Sequence, residues 1–137
     1  MIDASLVIAA VLENQSLPGA LGLVSDETLG VCAPDIMRGE VLNTLLGLRR
    51  RRILEDTQLD GIVQTISGFA IKSLSHPDWP DRALAIARRF SQGSIFDAVY
   101  LACAEDLDAE LWTADRRFVN SFGLARPERL KLCPDDL

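Results

Sequence analysis

Leu29-Gly30-Val31-Cys32-Ala33-Pro34, with Met37, Val41, Leu45 and Leu48 behind it, is the stretch that decides the fold. The apolar run is short and does not alternate with polar residues, as a strand buried on both faces requires. Pro34 is placed to open a helix, where its missing N–H leaves no bond unmade. The apolar residues that follow recur at spacings of four, four and three, which is the stripe of an amphipathic helix. A buried strand running straight into such a helix is half of a parallel crossover unit, and the same alternation continues in both directions along the chain.

Upstream, Met1-Ile2-Asp3 reads as a very short strand, and the apolar run Leu6 to Leu12 predicts a buried helix from Ala4 to about Glu13. Pro18-Gly19 punctuates the chain before a second short helix, Ala20 to about Asp26. Downstream, Leu59, Ile62, Val63 and Ile66 predict a helix over Asp56 to Ser67, and Phe69 to Leu74 a strand. His76 to Pro80 is a loop by composition, Asp81 to Phe90 a helix, and Ser94 opens a helix apolar nearly all round through Ala104. Glu110 to Thr113, Ala114 to Phe122 and Leu130 to Cys133 complete the series as strand, helix and strand. The expectation is one α/β domain over residues 1–137, a short central parallel sheet with helices on both faces.

Twenty acids against 14 bases give a net charge of −6, which taken whole argues against a plain electrostatic binder of nucleic acid. The charge is uneven. Met1 to Leu48 holds six acids and one base, and Arg49 to Arg52 then places four bases in a row. Those arginines suit a helix C-terminus, an RNA backbone or an acidic partner. With 48% hydrophobic and 25% charged residues the chain is globular rather than disordered. Cys32, Cys103 and Cys133 are an odd set without C-x-x-C spacing, so neither a disulfide framework nor a zinc site is implied. The start lacks the pattern of a signal peptide and no apolar run approaches a membrane span, so a cytoplasmic protein with no membrane partner is expected.

Ligands of open parallel sheets collect beyond the carboxyl ends of the strands. Asp3 closes the first strand, Asp115 follows Leu111-Trp112-Thr113, and Asp97 stands in the first turn of the buried helix opened by Ser94. Glu40 lies beside an apolar stripe, where a lone carboxylate is costly, and Asn43 is its neighbour three residues on. Each has a plain structural role open to it: Ser94 and Asp97 have capping-box spacing, Asp115 suits a first turn, and Asp3 suits a turn after a strand. Together they imply more. Four carboxylates at one sheet end would repel one another unless they held a hard divalent cation, Mg²⁺ or Mn²⁺. The chemistry expected of that arrangement is phosphodiester hydrolysis. The single histidine, His76, falls in the proline-rich loop, away from these positions.

Four segments carry a resemblance: Ile2-Asp3-Ala4-Ser5, Ala33-Pro34 leading to Gly39-Glu40-Val41-Leu42-Asn43, Ser94-Ile95-Phe96-Asp97-Ala98-Val99-Tyr100-Leu101-Ala102, and Thr113-Ala114-Asp115-Arg116-Arg117-Phe118. In this order, and across essentially the whole chain, they resemble the PIN-domain family, most nearly the VapC-type toxins of toxin–antitoxin pairs. The resemblance implies a PIN-like three-layer α/β fold and a metal-dependent endoribonuclease. Asp3, Glu40, Asp97 and Asp115 would form the acidic metal-binding and catalytic set, with Mg²⁺ as cofactor and Mn²⁺ able to substitute. Ser5 and Thr113 would support them as hydroxyls beside the first and last acids, and Asn43 beside Glu40. An RNA substrate, a cognate antitoxin protein and a homodimer are also implied. Arg49, Arg50 and Arg116 are the candidate RNA contacts. Only Met1 and Ile2 precede Asp3, fewer than the apolar strand that usually leads into the family's first acid.

Two other classes compete. Haloacid-dehalogenase-like phosphotransfer enzymes also place an Asp after their first strand, but they want Asp-x-Asp, and here Ser5 holds the second position. A catalytically inactive PIN-like scaffold that binds RNA or protein would usually have lost one or more of the acids, and all four positions are filled.

Overall fold

Cys32–Pro34 forms β1, which pairs in parallel with β2, Lys72–Leu74, placing Cys32 opposite Lys72 and Pro34 opposite Leu74. A second parallel pair joins β3, Leu111–Thr113, to β4, Leu130–Leu132. Met1–Asp3 connects the two pairs. The Ile2 N–H donates to Cys32 O at 3.0 Å, the Trp112 N–H to Met1 O at 2.9 Å, and the Asp3 N–H to Trp112 O at 3.3 Å. Ile2 thus forms a parallel bridge to Trp112, short as the sequence suggests but at the centre of the sheet. This computed structural model describes residues 1–12 and 17–134; Glu13, where the first helix was expected to end, lies outside them.

The helices are α1 (Ala4–Val11), α2 (Pro18–Ser25), α3 (Ile36–Arg50), α4 (Asp56–Ser67), α5 (Trp79–Arg89), α6 (Ile95–Asp106) and α7 (Arg116–Ser121). α1 packs on α2, α3 and α4, whereas α5 lies along α6, and both α1 and α6 contact β3. The result is a three-layer α/β/α arrangement, as expected. Leu6, Val7, Leu45, Leu101, Leu111 and Leu130 are fully buried between the layers. Among the described residues no helix is long and apolar enough to cross a membrane.

Several boundaries differ from the sequence reading, four of them for a clear local reason. Pro34 closes β1 instead of opening α3. Lys72 donates to Val31 O and Asp35 to Leu74 O, while Cys32 turns its carbonyl to Ile2, so the pleat spends the missing N–H of Pro34 on the side away from β2. Leu29 belongs to a 3₁₀ turn, Glu27–Leu29, and Gly30 at φ 62° provides the left-handed residue that lets the chain turn toward β1. Phe69 to Ile71 precede the strand, because the Ala70 N–H is taken by Val24 O at the end of α2. Similarly, α5 starts at Trp79 with Pro80 in its first turn, where a helix tolerates proline.

Candidate active site

Counted along the chain from Ile2, the strands lie in the order third, second, first, fourth, fifth. The order reverses beside Ile2, and the crevice beyond the carboxyl ends at such a reversal is where ligands of open sheets bind. Asp3 is the residue that follows Ile2. Asp115 lies two residues beyond the end of β3.

Asp3 and Thr113 are the polar residues of the core, 6% and 0% exposed among the described residues. Asp3 is the N-cap of α1: its Oδ1 accepts from the Leu6 N–H at 3.1 Å and from Ser5 Oγ at 2.7 Å. Its Oδ2 accepts from Thr113 Oγ1 at 2.5 Å. The hydroxyls are fixed in turn by the Ala114 N–H on Ser5 Oγ and the Asp115 N–H on Thr113 Oγ1, both at 3.0 Å. Ser5 and Thr113 therefore tie the end of β3 to the start of α1 through Asp3. Burial pushes the Asp3 carboxyl up to about 6, against the downward pull of these hydrogen bonds, and Asp97 adds a smaller upward push.

Glu40 projects from α3 and is half-buried. The partner that its burial demands is Tyr100 Oη, which donates to Glu40 Oε1 at 2.8 Å. Burial raises its pKa, the Tyr100 bond opposes this, and Asp97 adds to the rise. Asp97, in the first turn of α6, does not complete a capping box. Ser94 Oγ alone caps the helix, accepting the Phe96 N–H at 3.2 Å, and the Asp97 carboxylate has no hydrogen-bond donor among the described residues. Desolvation and the charge of Asp115 both raise its pKa. Asp115 itself caps α7, accepting the Arg117 and Phe118 N–H groups at 2.8 and 3.1 Å. Its structural role is thus the N-cap, one position ahead of the first turn that the sequence suggests for it.

All four carboxylates line one cleft of about 640 Å³, together with Ser5, Thr44, Tyr100, Arg116 and Arg117, and with an apolar wall that includes Ile8, Leu17 and Leu132. Asp97 is the electrostatic hub, acting on Asp3 and Glu40 and acted on by Asp115. The helix N-termini at Asp3, Asp97 and Asp115 offset part of this negative charge. Among the described residues, no three acidic, histidine or cysteine side chains already enclose an ion site. Asn43 is exposed on α3 and does not line the cleft; Thr44 does. Arg49 and Arg50 are also outside it, and Arg49 is held by Asp56 through Nε–Oδ1 at 2.8 Å and Nη2–Oδ2 at 3.1 Å. Tyr100 escaped the sequence reading. Its signal was there: it is three residues beyond Asp97 on the same helix face, and a buried Glu needs a donor.

Residues 1–121 match the family model described as the PIN domain. The chain belongs to the PIN domain family. It is also 27% identical over 124 residues to Ribonuclease VapC3 of Pyrobaculum aerophilum, an alignment covering 89% of this chain and 93% of that one. The matched span includes β1, β2 and β3 and all four acids of the cleft, and ends before β4.

Proposed function

We propose that this PIN domain is a divalent-cation-dependent endoribonuclease and the toxin of a toxin–antitoxin pair, acting in the cytoplasm as a homodimer that a cognate antitoxin blocks. The observation that carries the nuclease reading is the convergence of Asp3, Glu40, Asp97 and Asp115, from four separate elements, on one cleft. The name of the VapC3 relative supports RNA as the substrate and a toxin role.

The donor set fits Mg²⁺ or Mn²⁺. Every acid of the cleft offers hard carboxylate oxygen, the donor these ions prefer, and such an ion keeps several waters while taking one or two carboxylates. Such a cation supplies Lewis-acid polarisation of the phosphoryl group and a water of lowered pKa. The chain's own contribution is to hold the carboxylates in place. Asp3 is fixed by three donors and Glu40 by one. Burial and mutual repulsion raise the pKa values of Glu40 and Asp97 in the metal-free cleft, so both would gain from a cation that offsets their charge.

The direct test is cleavage of RNA in Mg²⁺ or Mn²⁺, with and without a chelator. Cleavage that is lost in chelator and restored by either ion is the expected result. Cleavage indifferent to chelator refutes the proposal, and RNA binding without any cleavage turns the reading to an inactive scaffold.

Arg116 and Arg117, both exposed at the start of α7 and lining the cleft, are proposed to meet the phosphates that flank the scissile bond. Replacing both by Ala should weaken RNA binding and lower the slope of log K against log salt by about two. Fluorescence anisotropy across a salt series, in the Asp97→Asn background to prevent turnover, measures it; an unchanged slope removes both arginines from the interface. The same series with Arg49→Ala plus Arg50→Ala tests the other candidate contacts, which lie outside the cleft.

A further inference from the structure

Tyr100 is an unusual residue to find in an acidic cleft. It is 2% exposed, it is the chain's single tyrosine, and its hydroxyl donates to a carboxylate. It stands on α6 one helical turn beyond Asp97, and its Oη reaches Glu40 Oε1 on α3 at 2.8 Å. Ala4 and Asp3, at the start of α1, are close enough to act on the same hydroxyl. One phenol therefore sits where α1, α3 and α6 converge. Among the described residues no donor other than Tyr100 reaches the Glu40 carboxylate.

We infer that Tyr100 is a positioning residue: its hydroxyl pins Glu40 by Oε1 and presents the remaining oxygen for a cation. The inference rests on the reading of the cleft as a cation site. A carboxylate on an exposed length of helix would sample several rotamers, and a cation binding it would have to restrict them. The Tyr100 bond has already done so on folding, in the way that outer-sphere donors commonly orient carboxylate and histidine ligands. The α6 spacing adds a second consequence. Because Asp97 and Tyr100 share one helix face, any shift of α6 moves one cleft carboxylate and the anchor of another together.

Tyr100→Phe removes the hydroxyl and keeps the ring that fills the core, so it separates positioning from packing. Mn²⁺ binding, followed by electron paramagnetic resonance or calorimetry on the full chain without RNA, should weaken by about tenfold in this variant. Trp79→Phe is the control. It removes another donor, from Trp79 Nε1 to Asp106 Oδ2 at 3.0 Å at the other end of α6, and should leave Mn²⁺ affinity unchanged. A second readout needs no variant. With ¹³Cζ-labelled tyrosine the chain gives one tyrosine resonance, which should move saturably as diamagnetic Mg²⁺ is added. Equal Mn²⁺ affinity in parent and Tyr100→Phe, an equal loss in Trp79→Phe, or a tyrosine signal that stays still while the ion binds would overturn the positioning role alone. A parent chain that binds no Mn²⁺ would overturn the cation reading of the cleft, and the positioning role with it.

Discussion

Asp97→Asn should abolish RNA cleavage, with a fall on the order of a hundred- to a thousandfold, and should leave the fold intact. The two halves of this expectation come from the same geometry. Asp97 lines the cleft and has no hydrogen-bond donor among the described residues, so its amide counterpart breaks no bond. Its charge raises the pKa values of Asp3 and Glu40, and Asp115 raises its own. Removing that charge relieves repulsion on two neighbours at once, so stability without metal should be unchanged or higher. A single-turnover cleavage assay in Mn²⁺ and a urea melt in chelator read the two quantities separately. Cleavage within about tenfold of the parent would show that the hub carboxylate is dispensable and would sink the proposed chemistry. Lost cleavage with a strongly lowered midpoint would instead mean that Asp97 is structural.

What the sequence made legible was periodic or terminal. The stripe Met37, Val41, Leu45 and Leu48 buries those four residues in α3, and the helix expected over Asp56 to Ser67 has those bounds. The strand ends that place acids at a sheet edge were legible for the same reason, since a parallel sheet puts whatever follows each strand at one rim. Pro34 was misplaced because a proline at a strand–helix junction satisfies both states. Only the pleat, which faces Val31 and Asp35 toward β2, decides between them. The role of Met1–Asp3 at the centre of the sheet could not be read from three residues, because it depends on neighbours contributed by Cys32 and Trp112. Side-chain networks were the least visible. The links from Asp3 to Thr113 and from Glu40 to Tyr100 span 110 and 60 positions, and no local period announces them. The net charge of −6 says nothing of where the charge lies: four of the acids line the cleft, and Arg116 and Arg117 line it with them.

Asp3→Asn should make the metal-free protein more stable at neutral pH while removing its activity. An ordinary aspartate titrates at 3.8, and burial raises Asp3 to about 6. The folded state therefore binds this proton more tightly than the unfolded chain does. Below about 4 both states are protonated and the group contributes nothing; between about 4 and 6 the folded state holds the proton and the unfolded chain releases it. Stability falls as pH rises through that window, and above it the charged carboxylate costs the fold about 3 kcal/mol. The amide avoids this cost without orphaning its neighbours. Oδ1 of the new side chain still accepts from the Leu6 N–H and Ser5 Oγ, and its NH₂ can donate to Thr113 Oγ1. The Thr113 proton then turns to Ser5 Oγ, 3.0 Å away. Urea unfolding of both proteins in chelator, at pH 4.5 and at pH 7.5, isolates the effect, because the shifts of Glu40 and Asp97 are largely common to both. The variant's advantage should be small at the lower pH and grow to roughly 2–3 kcal/mol at the higher. Added Mn²⁺ should stabilise the parent and narrow the difference, since a cation that binds only the folded state repays the cost of the buried charge. A variant less stable than the parent at pH 7.5 would mean that Asp3 is there to hold α1 and β3 together, and that its charge is not a burden carried for the cleft.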